Sequence, residues 1–208
     1  MTMLKTNLEV LYRKNPNLEN LYPFKKTFEK LNSFIVSEIL NGKIFLNPYR
    51  FSNIFEMELS KVFVLFIYIS SISDNRILEL KYRYTCINNT DVYLTEDELD
   101  DYVCDEDCGC GEEFNLREAI ESEAVDVPIF FELDSHLISN ILSLHKDETS
   151  FFERIEGGMN FVESIKTMEF SEEEINLLSN DTDKNEMICE MISQLDFLKE
   201  KAKRSKLF

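Results

Sequence analysis

Tryptophan is absent from the sequence, histidine occurs twice, and glycine and proline are scarce at five and four residues in 208. So little glycine and proline excludes collagen-like and low-complexity chains. The two histidines, His136 and His145, stand beside no nucleophile motif and are too far apart to share one or two turns of a helix face. No phosphate-cradling loop is present: Gly157-Gly158 and the Gly109/Gly111 turn lack the P-loop lysine and its spacing. Long apolar runs are missing as well. The longest, Val62–Ile69 with a loose extension to Ile72, falls far short of the roughly 20 residues that span a bilayer. Met1–Leu11 holds Lys5, Asn7 and Glu9 instead of the charged-then-apolar order of a signal peptide. These absences predict a cytoplasmic chain with no membrane segment and no catalytic set.

What is present is apolar material and acid. Hydrophobic residues make up 44% of the chain and phenylalanine alone contributes 17 residues, enough for a sizeable core. The formal net charge is −18 and its distribution is uneven. Residues 1–90 carry 12 basic and 8 acidic side chains, whereas residues 91–127 carry 15 acids against the single base Arg117. Such a chain repels phosphate unless a local basic face overrides the field. The charge therefore argues against nucleic acid and anionic membranes, and for a protein partner with a basic contact face.

Hydrophobic spacing predicts the elements. Leu4, Leu8, Leu11, Leu18 and Leu21 mark a short helix and a turn broken by Pro16. Phe28, Leu31, Phe34, Ile35 and Ile39 place one face on a helix over 24–40, stopped by Asn41-Gly42. A short strand at 44–46, a turn at Asn47-Pro48 and a short helix over 51–57 follow. Residues 59–72 read as a buried helix with Ser60 as its cap, although valine and isoleucine are dense enough for a strand. Residues 77–86 alternate as a half-exposed strand. Beyond residue 134 the chain reads as helices, with capping-box spacing at Ser171–Glu174 and a last helix over about 184–203. Its apolar stripe is Ile188, Met191, Ile192, Leu195 and Leu198.

Helix, short helix, longer helix, turn, strand is the order of a winged helix. The stretches Asn47-Pro48-Tyr49-Arg50-Phe51, Glu58-Leu59-Ser60, Val62–Ile72, Ile77–Leu80 and Cys86 carry the likeness, followed by Tyr102-Val103-Cys104, Cys108 and Val125–Phe131. Together, over roughly residues 24–134, they resemble the winged-helix plus zinc-ribbon module at the N-terminus of certain bacterial nucleotide cyclases and in stand-alone bacterial proteins. In that module a strand runs into a first cysteine pair, a second pair follows, and a Val-x-Val strand closes the unit. No cyclase catalytic segment is visible, so the resemblance implies no cyclase activity. The expected fold is α+β, with a winged-helix-like part (1–85), a small, acidic zinc-ribbon-like β part (86–134) and a helical C-terminal part (135–208).

The resemblance directs attention to Cys86, Cys104, Cys108 and Cys110 as zinc ligands. A structural zinc site takes four ligands, commonly as two close pairs. Here the partner position of Cys86 is empty, because Ile87-Asn88-Asn89 holds neither Cys nor His. Two readings stand: an irregular four-cysteine zinc site, or a ribbon that has lost its metal and keeps free thiols. The fifth cysteine, Cys189, stands alone on a helix.

The acidic block Glu96–Asp107 lacks EF-hand spacing, so it reads as a solvated face or an electrostatic docking surface. A winged helix reads DNA with its third helix. The corresponding stretch, 59–72, offers Lys61 as its only charge and is a poor base reader. The sequence thus points to a non-enzymatic accessory or adaptor protein working through protein–protein contacts. By analogy alone it suits a bacterial defence or conflict operon. Two further readings are an acidic immunity protein or inhibitor that caps a basic nuclease or toxin, and a winged-helix transcription regulator.

Overall fold

The computed structural model describes residues 2–71, 76–100, 102–103, 113–145, 158–180 and 185–205. Its architecture is α+β: ten α-helices and a five-stranded antiparallel sheet among the described residues, with a separate two-stranded ladder. The N-terminal half runs α1 (Thr2–Lys14), α2 (Leu18–Leu21), α3 (Phe24–Leu40), β1 (Phe45–Leu46), α4 (Pro48–Phe55), α5 (Leu59–Ser71) and β2 (Leu78–Thr85). Then come β3 (Asp91–Leu94), a 3-10 turn (Glu96–Glu98), β4 (Tyr102–Val103), β5 (Glu113–Phe114), α6 (Leu116–Glu121) and β6 (Pro128–Leu133). The chain ends with α7 (Ser135–Leu144), β7 (Met159–Asn160), α8 (Phe161–Thr167), α9 (Glu172–Asn180) and α10 (Glu186–Ser205).

Local chemistry sets the boundaries. Gly42 at φ 75° takes the left-handed turn after α3, a conformation glycine adopts without steric cost. Asn47-Pro48 was expected as a turn and instead opens α4: Asn47 accepts the Arg50 N–H at 3.2 Å, and Pro48 occupies the first helical position. Ser60 is not the cap of α5. The helix begins at Leu59 and the Glu58 carbonyl accepts the Val62 N–H, so Ser60 lies inside it and is buried. The capping box at Ser171 forms as its spacing predicts. The Ser171 N–H donates to Glu174 at 2.6 Å and Ser171 Oγ accepts the Glu174 N–H at 3.3 Å.

The sheet has the order β1-β6-β2-β3, and β7 pairs with β6 at Pro128 and Ile129. The region after residue 134 therefore contributes a strand as well as helices. Register decides the faces, because side chains alternate along a strand. Leu78, Leu80 and Tyr82 stand opposite Leu133, Phe131 and Ile129 and look inward. Against them packs α5, whose residues from Val62 to Ser70 are all buried. A helix that is apolar on every side needs cover on every side. Tyr22 seals one flank by donating its hydroxyl to the Lys61 carbonyl at 3.0 Å. Phe170 stands 6.4 Å from the Phe63 ring, and Asn185 donates to Ser70 Oγ at 3.1 Å.

The half-exposed strand read over 77–86 places Lys81 and Arg83 on the outer face of the sheet, which also carries aromatic side chains. Phe45, Tyr93 and Phe130 meet there as a triangle with ring centroids 5.3 to 5.6 Å apart. The Arg83 guanidinium lies 5.4 Å over Phe130 in a cation–π contact. Gly158 closes this cluster; a Cβ there would sit 2.3 Å from the Phe130 ring.

Candidate functional site

Of the four cysteines that are candidate zinc ligands, the structure describes Cys86 alone; Cys104, Cys108 and Cys110 lie outside the described residues. Cys86 is 3% exposed just beyond β2 and begins a tight turn, its N–H bonded to Thr90 and its carbonyl to Asn89. The ladder on which the other cysteines would hang is present: Tyr102 pairs with Phe114 and Val103 with Glu113. Among the described residues no group of three or more His, Cys, Asp or Glu is placed to hold a metal ion. Cys189 is buried on α10.

The chemistry gathers elsewhere, where the acidic segment meets α10. Arg117, the lone base of residues 91–127, is the internal counterion of that segment. Its Nε donates to Asp100 at 2.8 Å, one terminal nitrogen donates to the Glu96 carboxylate at 3.3 Å, and the other donates to the Glu96 carbonyl at 3.0 Å. Glu96 in turn accepts the Met187 N–H at 2.8 Å, in the first turn of α10. A carboxylate at a helix N-terminus satisfies a donor that the helix cannot pair itself. One side chain thus ties the 3-10 turn, α6 and α10 together.

These groups border a cavity of about 250 Å³ reached by Arg76, Glu79, Glu96, Asp97, Arg117 and Glu186. Arg76 pairs with Glu79, which also pairs with Lys81 at 3.1 Å. Glu96 Oε1 takes Arg117 and Met187, while Oε2 is buried and receives no hydrogen bond. Alongside lies a smaller groove of about 190 Å³, with Val162, Met187, Met191 and Leu195 as its apolar lining and Glu121, Glu123 and Glu190 as its acidic lip. Lys166 bridges to Glu123 there.

Burial shifts the protonation of this region. Desolvation holds the Glu96 carboxyl above its ordinary value of 4.5, against the opposing pull of Met187 and Arg117. Glu132, facing Glu79 across β2 and β6, is raised for the same first reason. Glu98 moves the other way, held down by the backbone N–H and hydroxyl of Thr95. A carboxyl raised by folding binds its proton more tightly in the folded chain, so stability falls as pH rises above the ordinary glutamate range. A lowered one gives stability that is lost only as pH falls through about 4.5 and below. The melting temperature is therefore expected to rise as pH falls from about 7 toward the ordinary glutamate value of 4.5, helped by relief of self-repulsion in a −18 chain. A calorimetric series that is flat or falls across that interval would remove Glu96 and Glu132 as buried, raised carboxyls.

No protein-family model, curated protein or solved structure matches the chain. Among the described residues no helix is long and apolar enough to cross a membrane. Sequence reasoning found the acid of this site and Arg117 as its lone base. It missed α6, although Asn115 followed by Leu116, Ala119 and Ile120 has the cap and spacing of a helix start. It also missed the cavity, whose walls come from five separate stretches of chain.

Proposed function

We propose that the chain is a non-enzymatic adaptor that binds a basic protein surface through its acidic segment, on a winged-helix-like scaffold. The observation that carries this reading is the burial of α5 on every side. In a DNA-reading winged helix the equivalent helix must present polar side chains to a groove. Here it is core, and the transcription-regulator reading loses its contact surface. The order of α3, β1, α4, α5, β2 and β6, with β6 between β1 and β2, supports the winged-helix scaffold. On this reading residues 86–127 stand where the wing belongs, and the paired β4 and β5 support a ribbon-like insertion. Zinc, held by Cys104, Cys108 and Cys110 with Cys86 as fourth ligand, belongs to the same proposal.

The test is mass spectrometry of what co-purifies with the natively expressed protein, repeated with Asp97→Lys, Glu121→Lys and Glu190→Lys combined. The expected result is one basic partner, retained by the unaltered chain and lost from the variant at unchanged helix content. A small basic nuclease or toxin as that partner would favour the immunity-protein reading, for which the −18 charge offers electrostatic steering. Submicromolar, sequence-dependent DNA binding by the isolated chain at about physiological salt would overturn both. Elemental analysis of the same preparation is expected to find about one zinc per chain; none would leave a metal-free ribbon.

A further inference from the structure

Glu38 is a carboxylate inside the fold, near the C-terminal end of α3 and 1% exposed. A buried charge is tolerated only where it is paired. Both of its oxygens are: Oε1 accepts Arg50 Nε at 2.9 Å, and Oε2 lies 3.8 Å from Lys43 Nζ. Arg50 is engaged at that edge alone. Its two terminal nitrogens make no hydrogen bond or ion pair among the described residues, and the side chain is 48% exposed. A guanidinium pinned through Nε has given up much of its rotamer freedom, so its remaining nitrogens form a preorganised two-donor fork. Around it, Tyr49, Arg50, Asn53 and Ile54 are all exposed and share one side of α4, while Pro48 and Phe51 are buried on the other. Ile54 is 51% exposed, a large apolar side chain left in water. A groove of about 470 Å³ is lined by Arg50 and Ile54 together with Phe45 and Asn53.

We propose that this face of α4 docks a segment of a partner protein in which an Asp or Glu is flanked by Leu or Ile. The carboxylate takes the Arg50 fork in a bidentate pair, and the neighbouring apolar side chain covers Ile54. A fork of two N–H donors matches the two oxygens of one carboxylate. Lys43 is taken up by Glu38, so the groove offers one cation, which suits a monoanion better than a phosphate dianion. Nucleic acid would bring many phosphates toward a −18 chain and leave Ile54 without an apolar partner. A second copy would bring another −18 charge to the same face. Tyr49 and Arg50 are of the residue types that dominate binding energy at interfaces. The proposal does not rest on the adaptor reading, since it uses other residues and the opposite charge.

The experiment is a titration of the full-length, isotope-labelled protein with the capped peptide Ala-Leu-Glu-Leu-Ala, followed by backbone amide shifts. Parallel arms replace the peptide's Glu by Gln, by Lys and by phosphoserine. Expected is saturable one-to-one binding of the Glu peptide, with shifts centred on residues 43–54, at least about tenfold tighter than any of the other three. Ile54→Ser is expected to weaken it at least about fivefold, and the exposed position keeps this variant folded. Arg50→Lys retains a cation for Glu38 but loses the fork, and is expected to weaken binding by at least as much. No saturable shift up to about ten millimolar, equal binding of the Gln peptide, or binding unchanged in Ile54→Ser overturns the proposal. Tighter binding of the phosphoserine peptide, or α4 shifts that move with protein concentration alone, would overturn it in favour of a phosphate ligand or a second copy. Reversing the charges of Asp97, Glu121 and Glu190 leaves the expected peptide binding in place, so this proposal and the adaptor reading fail separately.

Discussion

Phe131→Ala is expected to lower the free energy of unfolding by about 3–5 kcal/mol. Phe131 is fully buried in β6, the strand between β1 and β2, and its ring stands 5.3 Å from Phe66 and 6.2 Å from Phe63 on α5. The neighbours cannot collapse into the space, because one wall is a sheet and the other a helix enclosed on all sides. Domains of this kind are stable by about 5–15 kcal/mol in total, so the loss takes a large share. With no tryptophan in the chain, denaturant unfolding is best followed by circular dichroism. Phe130→Ala, one residue away on the opposite face, is the control. Among the described residues its cluster is formed by Arg83, Tyr93, Phe45 and Gly158, on the outer face of the sheet, where it can relax toward solvent. Its cost is expected to be clearly smaller. Equal losses would mean that the two faces are not distinguished as inner and outer.

The second large effect belongs to α10. Ile188→Ala is expected to cost about 2–5 kcal/mol, whereas Leu195→Ala costs less because Leu195 is half-buried at the edge of the core. Ile188, Ile192, Met187 and Cys189 are all buried, and α10 packs against α9. The stripe read from the sequence is therefore internal over its first half. Light scattering is expected to show no change in association for Ile188→Ala. If Ile188→Ala leaves unfolding unchanged while weakening association, the stripe faces a partner and this placement of α10 is wrong.

The secondary structure was largely legible because its signals are local. The spacing of Phe28, Leu31, Phe34, Ile35 and Ile39 states α3 to the residue at both ends. The length of the apolar run at 59–71 decided helix over strand against its β-branched content. Errors fall where one residue has two uses. Asn47-Pro48 signals a turn and a helix start equally well, and Ser60 is a cap type that tertiary burial placed inside the helix. β7 has two residues and no periodicity, so only its pairing with β6 reveals it. The site was illegible for a different reason. Glu96 meets Met187, and Glu96 meets Arg117, through the fold and not through any sequence spacing. The charge excess of residues 91–127 was visible, but which carboxylate would be buried was not.

The place of β6 in the sheet governs the kinetics of folding. β2 and β3 join through the short Cys86–Thr90 turn and can pair early, since their contacts are close in sequence. β6 must cross residues 86–127 before Tyr82 meets Ile129 and Leu80 meets Phe131. The central pair of the sheet is thus a late, entropically costly step, and α5 stays without its inner wall until that step is complete. Loop-closure entropy grows only logarithmically, about 0.6 kcal/mol per doubling of length. Lengthening the excursion between β3 and β6 therefore slows the search only slightly. The folding rate is thus set by the pairing of β2 with β6 across the excursion and only weakly by the length of the excursion itself.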